Sequence, residues 1–501
     1  MMGATAIAKL LGMLRTVLVA SAYGTSWEAN ALTAATRLPL AAFDLLLSAA
    51  ILGCFIPVYN SFKDKEENSE SDRFASVFLN FIMLLCGALA LFGIVFAEPL
   101  IRLITNGLDE NTVTLAVRLT RIMFPLVIFS GAAYTLVGVL QSKGSFIAPA
   151  LISAVSNLGV VLYLLFSAPL GSNSVYGLAL AYLISWALQL LTLIIPLRRQ
   201  GFKYRLLLDF KSPALLKVLK MALPVIVGSW LIPAGTLLGQ YFAARVAASG
   251  ALDGATTVFD CAASVYVIVA GVLTYSTCNY IFPKISRLSA KGDAEGLVDT
   301  VRRGLTSVLF IVVPFTAASL VLSGEAIVIV YMRGEFSPSD AYNTACALRF
   351  ILPAMPFFCV TELFSRVFYA KNQPRVPMYA VLVGILANLI TGAVLTSLGV
   401  LDIGAVGLAF AVGQAACALV LIAFASVRLK GLFNKNTVFK IIKMAVGGII
   451  VFGTCAVLAR LFASDPYGSS FLTSVWKSAA ISALAAAVYL IYARLAKIKF
   501  Y

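Results

Sequence analysis

The sequence predicts an all-α polytopic membrane protein of about fourteen transmembrane helices, built as two parallel six-helix lobes plus a C-terminal helix pair. Three observations carry this prediction. The chain of 501 residues is 61% hydrophobic and only 12% charged, whereas soluble domains are about 45–50% apolar and about 25% charged. Its apolar runs continue for about 20 residues or more, the length that a helix needs to cross a bilayer. The strands of an outer-membrane barrel would instead alternate with period two. Finally, the connections between runs alternate in charge, as the loops of a helical membrane protein do.

Spans are expected at roughly 4–23, 31–58, 75–98, 112–140, 146–167, 175–197, 215–246, 253–283, 304–322, 341–370, 377–398, 403–427, 438–463 and 470–493. Several exceed the minimum length, so tilt or extension past the bilayer is expected. Span one, KLLGMLRTVLVASAYG, carries VASA, which looks like a signal cleavage site. Arg15 interrupts the apolar stretch that a secretory signal needs, so the segment reads as a span. TSWEAN then separates spans one and two, EENSESDRF two and three, and residues 99–111 three and four. Lys143 follows span four, LGSNS span five, RRQGFKYRLLLDFK span six and ASGALDG span seven. SRLSAKGDAEGLVDTVRRG follows span eight, 323–340 span nine, KNQPR span ten, LDIGA span eleven and RLKGLFNKN span twelve. TSWEAN, LGSNS, ASGALDG and LDIGA contain no Lys or Arg, and the two longer connections hold only Arg102 and Arg333. The positive-inside rule therefore predicts that both termini are cytoplasmic. One missed span would scramble this alternation.

The balance of Lys+Arg 38 against Asp+Glu 22 gives a net charge of +16. In a soluble protein this would point to nucleic acid, but here cytoplasmic loops account for it. The chain contains no His, which removes the commonest general base and metal ligand. The eight Cys lie in apolar runs without a CxxC pair and read as packing residues. No cofactor is expected.

An internal echo defines the lobes. Pro57 in FIPVYN recurs as Pro283 in IFPKIS, Lys143 as Lys371, and Asn157 in SNLGVVL as Asn388 in ANLITG. The offsets, 57 to 283, 143 to 371 and 157 to 388, are 226, 228 and 231 residues, or six spans each. Six is even, so the halves share one orientation and form a parallel repeat, as in many transporters. The expected organisation is an N-lobe over 1–200, a C-lobe over 201–430 and an appended helix pair over 431–501.

Charges within spans carry the functional signal, because each costs about 2.5–3.5 kcal/mol at mid-bilayer. Arg15 is central in span one, too deep to reach an interface. Lys9 is about one turn inside the cytoplasmic end and either snorkels or borders the same cavity. In span two, Arg37 and Asp44 are seven residues apart on nearly one face, with Ser48 extending it. A central Asp has no stem with which to snorkel, so it needs a proton or a cation, and Arg37, Lys9 and Arg15 are the candidates. Arg118, Arg121, Arg245 and Asp260 are near span ends. Glu362 and Arg366, four apart, suit a stabilising pair. The first half thus concentrates cations with few acids, which suits a hydrated cavity for an anion such as a phosphate or diphosphate.

The segment LLGMLRTVLVASAYGTSWEANALTAATRLPLAAFDLLLSAAILGCFIPVYN resembles the start of the MurJ (MviN) family, the lipid II flippases of the MOP exporter superfamily. MRGEFSPSDAYNTACALRF and SRVFYAKNQPRVP resemble that family's tenth and eleventh spans, and the similarity runs in register over most of the chain. The resemblance implies a transporter that moves the undecaprenyl diphosphate-linked disaccharide-pentapeptide of peptidoglycan from the inner to the outer leaflet by alternating access. It implies diphosphate binding by cavity cations, and a lipid-tail groove formed by the last two helices. Arg15 matches a functional Arg of the family. Lys9 stands where many members have Arg, Asn30 where Asp is usual, and Arg37 keeps a basic position. Phe43 and Ser264 replace functional Arg positions. Gln240 replaces an Asp that helps to hold sodium in some members, whereas Asn388 matches another ligand of that site. Membrane potential and a proton are the other couplings left open. Asp44 stands where the family pattern predicts no acid. The implied partners are lipid II and membrane lipids, and a monomer suffices.

Three other readings compete. A related exporter of another lipid-linked oligosaccharide fits the departures at Phe43 and Ser264. A prenyl-phosphate enzyme would need clustered acids or His at a membrane face, and neither is present. A cationic cavity also suits a cationic-drug antiporter poorly.

Overall fold

The computed structural model has only helices as regular elements among the residues it describes, which are 2–48, 54–63, 68–105, 107–167, 174–462, 466–468 and 470–498. In chain order α1 is Met2–Tyr23, α2 is Trp27–Phe43 continued by a π-helical turn at Asp44–Ser48, α3 is Ile56–Lys63, α4 is Asn68–Val95 and α5 is Ala97–Ile104. Next come α6 (Glu110–Met123), α7 (Leu126–Ser142), α8 (Ile147–Ser167), α9 (Val175–Arg199), α10 (Pro213–Gly228) and α11 (Leu231–Ala248). Then follow α12 (Ala255–Ala290), α13 (Ala294–Val321), α14 (Ser323–Tyr331), α15 (Pro338–Ile351) and α16 (Ala354–Ala370). The chain closes with α17 (Arg375–Ser397), α18 (Ile403–Arg428), α19 (Lys435–Leu461) and α20 (Phe471–Leu495).

Among the described residues ten helices, counting α6–α7 as one, are long and apolar enough to cross a membrane. The number is twelve if each bent pair, α10–α11 at 49° and α15–α16 at 47°, makes one span. α1 and the α2-to-α3 segment stand where the first two of the fourteen expected spans were placed. The chain is thus a multi-pass, all-helical membrane protein.

Short polar side chains set the helix starts. Ser26, Asp109, Ser174, Asp293, Asp402, Asn434 and Ser470 each accept a bond from the backbone N–H three residues on. This satisfies a donor that the first helical turn leaves open. Small residues set the helix contacts, as is usual in lipid, where apolar burial alone does not drive association. A Cβ on Gly413 of α18 would lie 2.8 Å from the Gly384 carbonyl oxygen of α17, and one on Gly159 of α8 would lie 2.2 Å from Ser185 Oγ of α9.

The chain divides into two compact units, Met1–Thr257 and Val258–Tyr501. Unit one buries an aromatic cluster where α3 meets α4, with Phe55 stacked on Phe78 at 4.7 Å and on Phe74 at 5.4 Å. In unit two α17 packs on α18, and α19 lies between α13 and α20. The elements also repeat in order. α13 and α14 begin 226 residues after α4 and α5 (68 to 294, 97 to 323). α15 to α18 begin 228 residues after α6 to α9 (110 to 338, 126 to 354, 147 to 375, 175 to 403). The breaks repeat as well, because Pro125 and Pro353 each cap the second helix of a pair. Of the residues that carried the sequence echo, the side chains of Pro57 and Pro283 lie outside the described residues, as does that of Ser48.

Candidate transport site

Unit one holds the cations that the sequence singled out. Arg15, on α1, is half-buried, and its Cζ lies 5.5 Å from the ring centroid of Tyr182 on α9. Its Nε is buried without a hydrogen-bond partner, and among the described residues no carboxylate forms an ion pair with it. Tyr182 is itself backed by Trp186, one turn along α9, at 5.7 Å. A guanidinium keeps its charge in protein surroundings, and an aromatic face attracts it without neutralising it. A donor therefore remains for which the described residues supply no acceptor.

α8 fixes the height of α1. Asn157 donates to Ala8 O at 3.4 Å and to Ser153 O at 2.7 Å. Its amide also sits 3.2 Å from the point where a Cβ on Gly12 would lie, so glycine allows the close approach. Lys9, one residue beyond Ala8, is half-buried on the same helix.

Asn30 is 4% exposed and bonded through both its amide nitrogen and its amide oxygen. It donates to Asp253 O at 2.8 Å and accepts from Thr256 Oγ1 at 2.6 Å, Thr257 Oγ1 at 2.9 Å and Thr257 N at 3.3 Å. These bonds tie α2 to the first turn of α12, within unit one. Arg37, farther along α2, is half-buried, and Asp44 is exposed where the helix widens into its π turn. A π turn misaligns carbonyls with the usual donors. Trp230, at the break between α10 and α11, donates Nε1–H to Leu45 O at 2.5 Å.

The other positions compared with the family pattern are buried or half-buried. Phe43 is 3% exposed and its ring lies 5.3 Å from that of Tyr134. Gln240 is buried in unit one and Asn388 in unit two, while Ser264 is half-buried on α12. Arg118 and Arg121 are exposed. Glu362 and Arg366 form the anticipated pair, at 3.7 Å.

Unit two contributes an apolar groove of about 530 Å³ between α13, α14, α19 and α20. Phe310, Pro314 and Phe315 line one wall, and Ser482, Ala486 and Tyr489 line the other. Tyr489 closes the inner edge, donating to Phe310 O at 3.0 Å. Gly447 and Gly448 let α19 approach both neighbours, because a Cβ there would lie 2.7 Å from the Tyr489 ring and 2.7 Å from Val313 respectively. In the loop between α19 and α20, Tyr467 packs edge-on to Tyr342 at 5.6 Å, and burial pushes its phenol up to about 12.

Tyr182 and Trp230 were missed from the sequence. The YLISW spacing places Tyr182 and Trp186 one turn apart, but nothing in it says that α9 faces Arg15. Trp230 looks like one more apolar residue of span seven.

The sequence model described as "Lipid II flippase MurJ" matches residues 19–476. Among curated proteins the chain is 26% identical over 399 residues to "Probable lipid II flippase MurJ" of Bdellovibrio bacteriovorus, covering 79% of this chain and 75% of that one. It is 22% identical over 440 residues to "Lipid II flippase MurJ" of Burkholderia cenocepacia, covering 87% and 84%. Among solved structures it resembles "Lipid II flippase MurJ, inward closed conformation" with a TM-score of 0.79 at 21% identity, covering 98% and 97%. It also resembles an inward-facing MATE-family multidrug transporter of the MOP superfamily with a TM-score of 0.70 at 14% identity, covering 85% and 95%. With the family model spanning most of its length, the chain belongs to the MurJ family of lipid II flippases, which are membrane transporters of peptidoglycan synthesis and not enzymes.

Proposed function

We propose that the chain carries lipid II from the inner to the outer leaflet with the diphosphate held by Arg15, assisted by Lys9 and Arg37. One observation carries this reading: a guanidinium deep in a span, stacked on Tyr182, with a buried Nε from which no group among the described residues accepts. An unmatched charge in low dielectric is costly, and a diphosphate offers acceptors of the right charge and geometry. Asn30 pins α2 in place, as its four bonds are all to the chain. Asp44 supplies the carboxylate through which a proton or the membrane potential would couple to transport.

The rest of the cycle follows the sequence repeat. The lobes over 1–200 and 201–430 rock to alternate access, and the pair over 431–501 holds the lipid tail in the groove beside Tyr489. Both termini are cytoplasmic, and a monomer is the working unit. Binding drives such a cycle only if the lipid favours one state over the other. The deciding experiment is leaflet translocation of labelled lipid II in vesicles containing wild type or Arg15→Ala. A rate reduced at least tenfold supports the assignment, and equal rates remove Arg15 from it. Rescue of cells depleted of their own flippase separates lipid II from other lipid-linked oligosaccharides.

A further inference from the structure

The linker after α9 is pinned to α4 by a series of hydrogen bonds. Residues 202–208 run extended along α4 and are held by Asp72, Ser76 and Asn80, one helical turn apart on one face. Asp72 Oδ2 accepts from Lys203 N at 3.1 Å and Ser76 Oγ from Arg205 N at 3.1 Å. Asn80 Nδ2 donates to Arg205 O at 3.1 Å and to Leu207 O at 2.9 Å, while its Oδ1 accepts from Tyr204 OH at 2.7 Å. Ser76 in turn donates to Asp72 O at 2.8 Å. The N–H groups of Lys203 and Arg205 and the carbonyls of Arg205 and Leu207 thus face α4, and the register of the linker is fixed.

Apart from half-buried Phe202 and the bonded Tyr204, its side chains are left exposed. Leu206, Leu208 and Phe210 are exposed at 82%, 55% and 53%. Residues 198–220 contain seven Lys or Arg against Asp209 alone. The nearby carboxylate of Asp72 is matched by Lys143 at 3.1 Å. Among the described residues neither Lys203 nor Arg205 forms an ion pair. Topogenic charge requires only a count of cations near a span. It does not require a hydrogen-bonded ladder that fixes where they point.

We propose that this strap is a docking surface for anionic phospholipid headgroups of the cytoplasmic leaflet. Lys203, Arg205 and Lys211 meet the phosphates, and Leu206, Leu208 and Phe210 sink into the acyl boundary. Alternating cationic and apolar side chains, with Asp209 the one acid of the segment and Asp72 already paired with Lys143, suit an anionic interface. The assignment to the cytoplasmic leaflet rests on the orientation proposed above. Labelling of Leu206→Cys from each side of the membrane tests that orientation by itself.

The experiment uses the full chain in nanodiscs of phosphatidylcholine mixed with phosphatidylglycerol, extracted gently and weighed with its bound lipids. Wild type is expected to retain phosphatidylglycerol above its bulk share. Lys203→Gln, Arg205→Gln and Lys211→Gln should each lower retention about fivefold, the factor expected for one cation near a charged surface. Ser76→Ala with Asn80→Ala keeps every charge but frees the strap. It should also lose retention and raise hydrogen exchange at 203–208, while helix content stays at the wild-type level. The proposal is overturned if the ladder variant retains as much lipid as wild type, since diffuse charge then suffices. Undiminished retention in the charge variants, or equal displacement of the lipid by inorganic phosphate, overturns it as well.

Discussion

At the scale of single residues the decisive feature is a cation whose neighbour is a ring and not an acid. The Tyr182 face holds the Arg15 guanidinium without cancelling its charge. Arg15→Lys should therefore keep part of the function. A lysine preserves charge but loses both the planar stacking and the fork that matches phosphate oxygens. We expect lipid II translocation about threefold to tenfold below wild type for Lys and lower still for Ala, in line with charge-assisted bonds of about 1.5–3 kcal/mol. Tyr182→Leu should weaken diphosphate binding by about 0.5–2 kcal/mol, the range for a cation–π contact, as read by titration with undecaprenyl diphosphate. Asp44→Asn tests coupling. Transport should continue but no longer respond to an imposed pH gradient, and a persisting response would assign coupling elsewhere.

Elements are where the chain departs from regular helix, and each departure has a local partner. The Trp230 indole at the α10–α11 break donates to Leu45 O within the π turn at Asp44–Ser48. Trp230→Phe retains the ring but removes the donor. We expect a loss of about 1–2 kcal/mol, seen as a lower unfolding temperature. Close packing of small residues gives a second test. Gly413→Ala places a methyl 2.8 Å from a backbone oxygen of α17, which cannot rotate away. Overpacking of this kind typically costs about 1–3 kcal/mol. Gly453→Ala on α19, which meets nothing within 4 Å, is the control and should be neutral or slightly stabilising.

At the scale of the whole molecule the groove beside Tyr489 gives a prediction that separates tail from headgroup. Ser482 is exposed on the groove wall, so Ser482→Trp should fill the groove without disturbing the fold. Transport of full-length lipid II should fall, whereas an analogue with a short tail should move at the wild-type rate. An equal fall for both would show that the groove does not hold the tail.

The sequence by itself determined the class, the order of the spans and the repeat. Each depends on local facts: run length, loop charge and the spacing of Pro, Lys and Asn. It also marked Arg15, because a charge in an apolar run is conspicuous wherever the run ends up. It did not reveal that Asn30 is consumed by Asp253, Thr256 and Thr257, that Tyr182 rather than Asp44 stands over Arg15, or that the cationic linker is laddered onto α4. Those pairings join residues from 124 positions apart (80 to 204) to 227 apart (30 to 257). Which faces meet at such separations is set by close packing between helices, through glycines and rings that read in sequence as ordinary apolar residues. Only the tertiary structure could decide them.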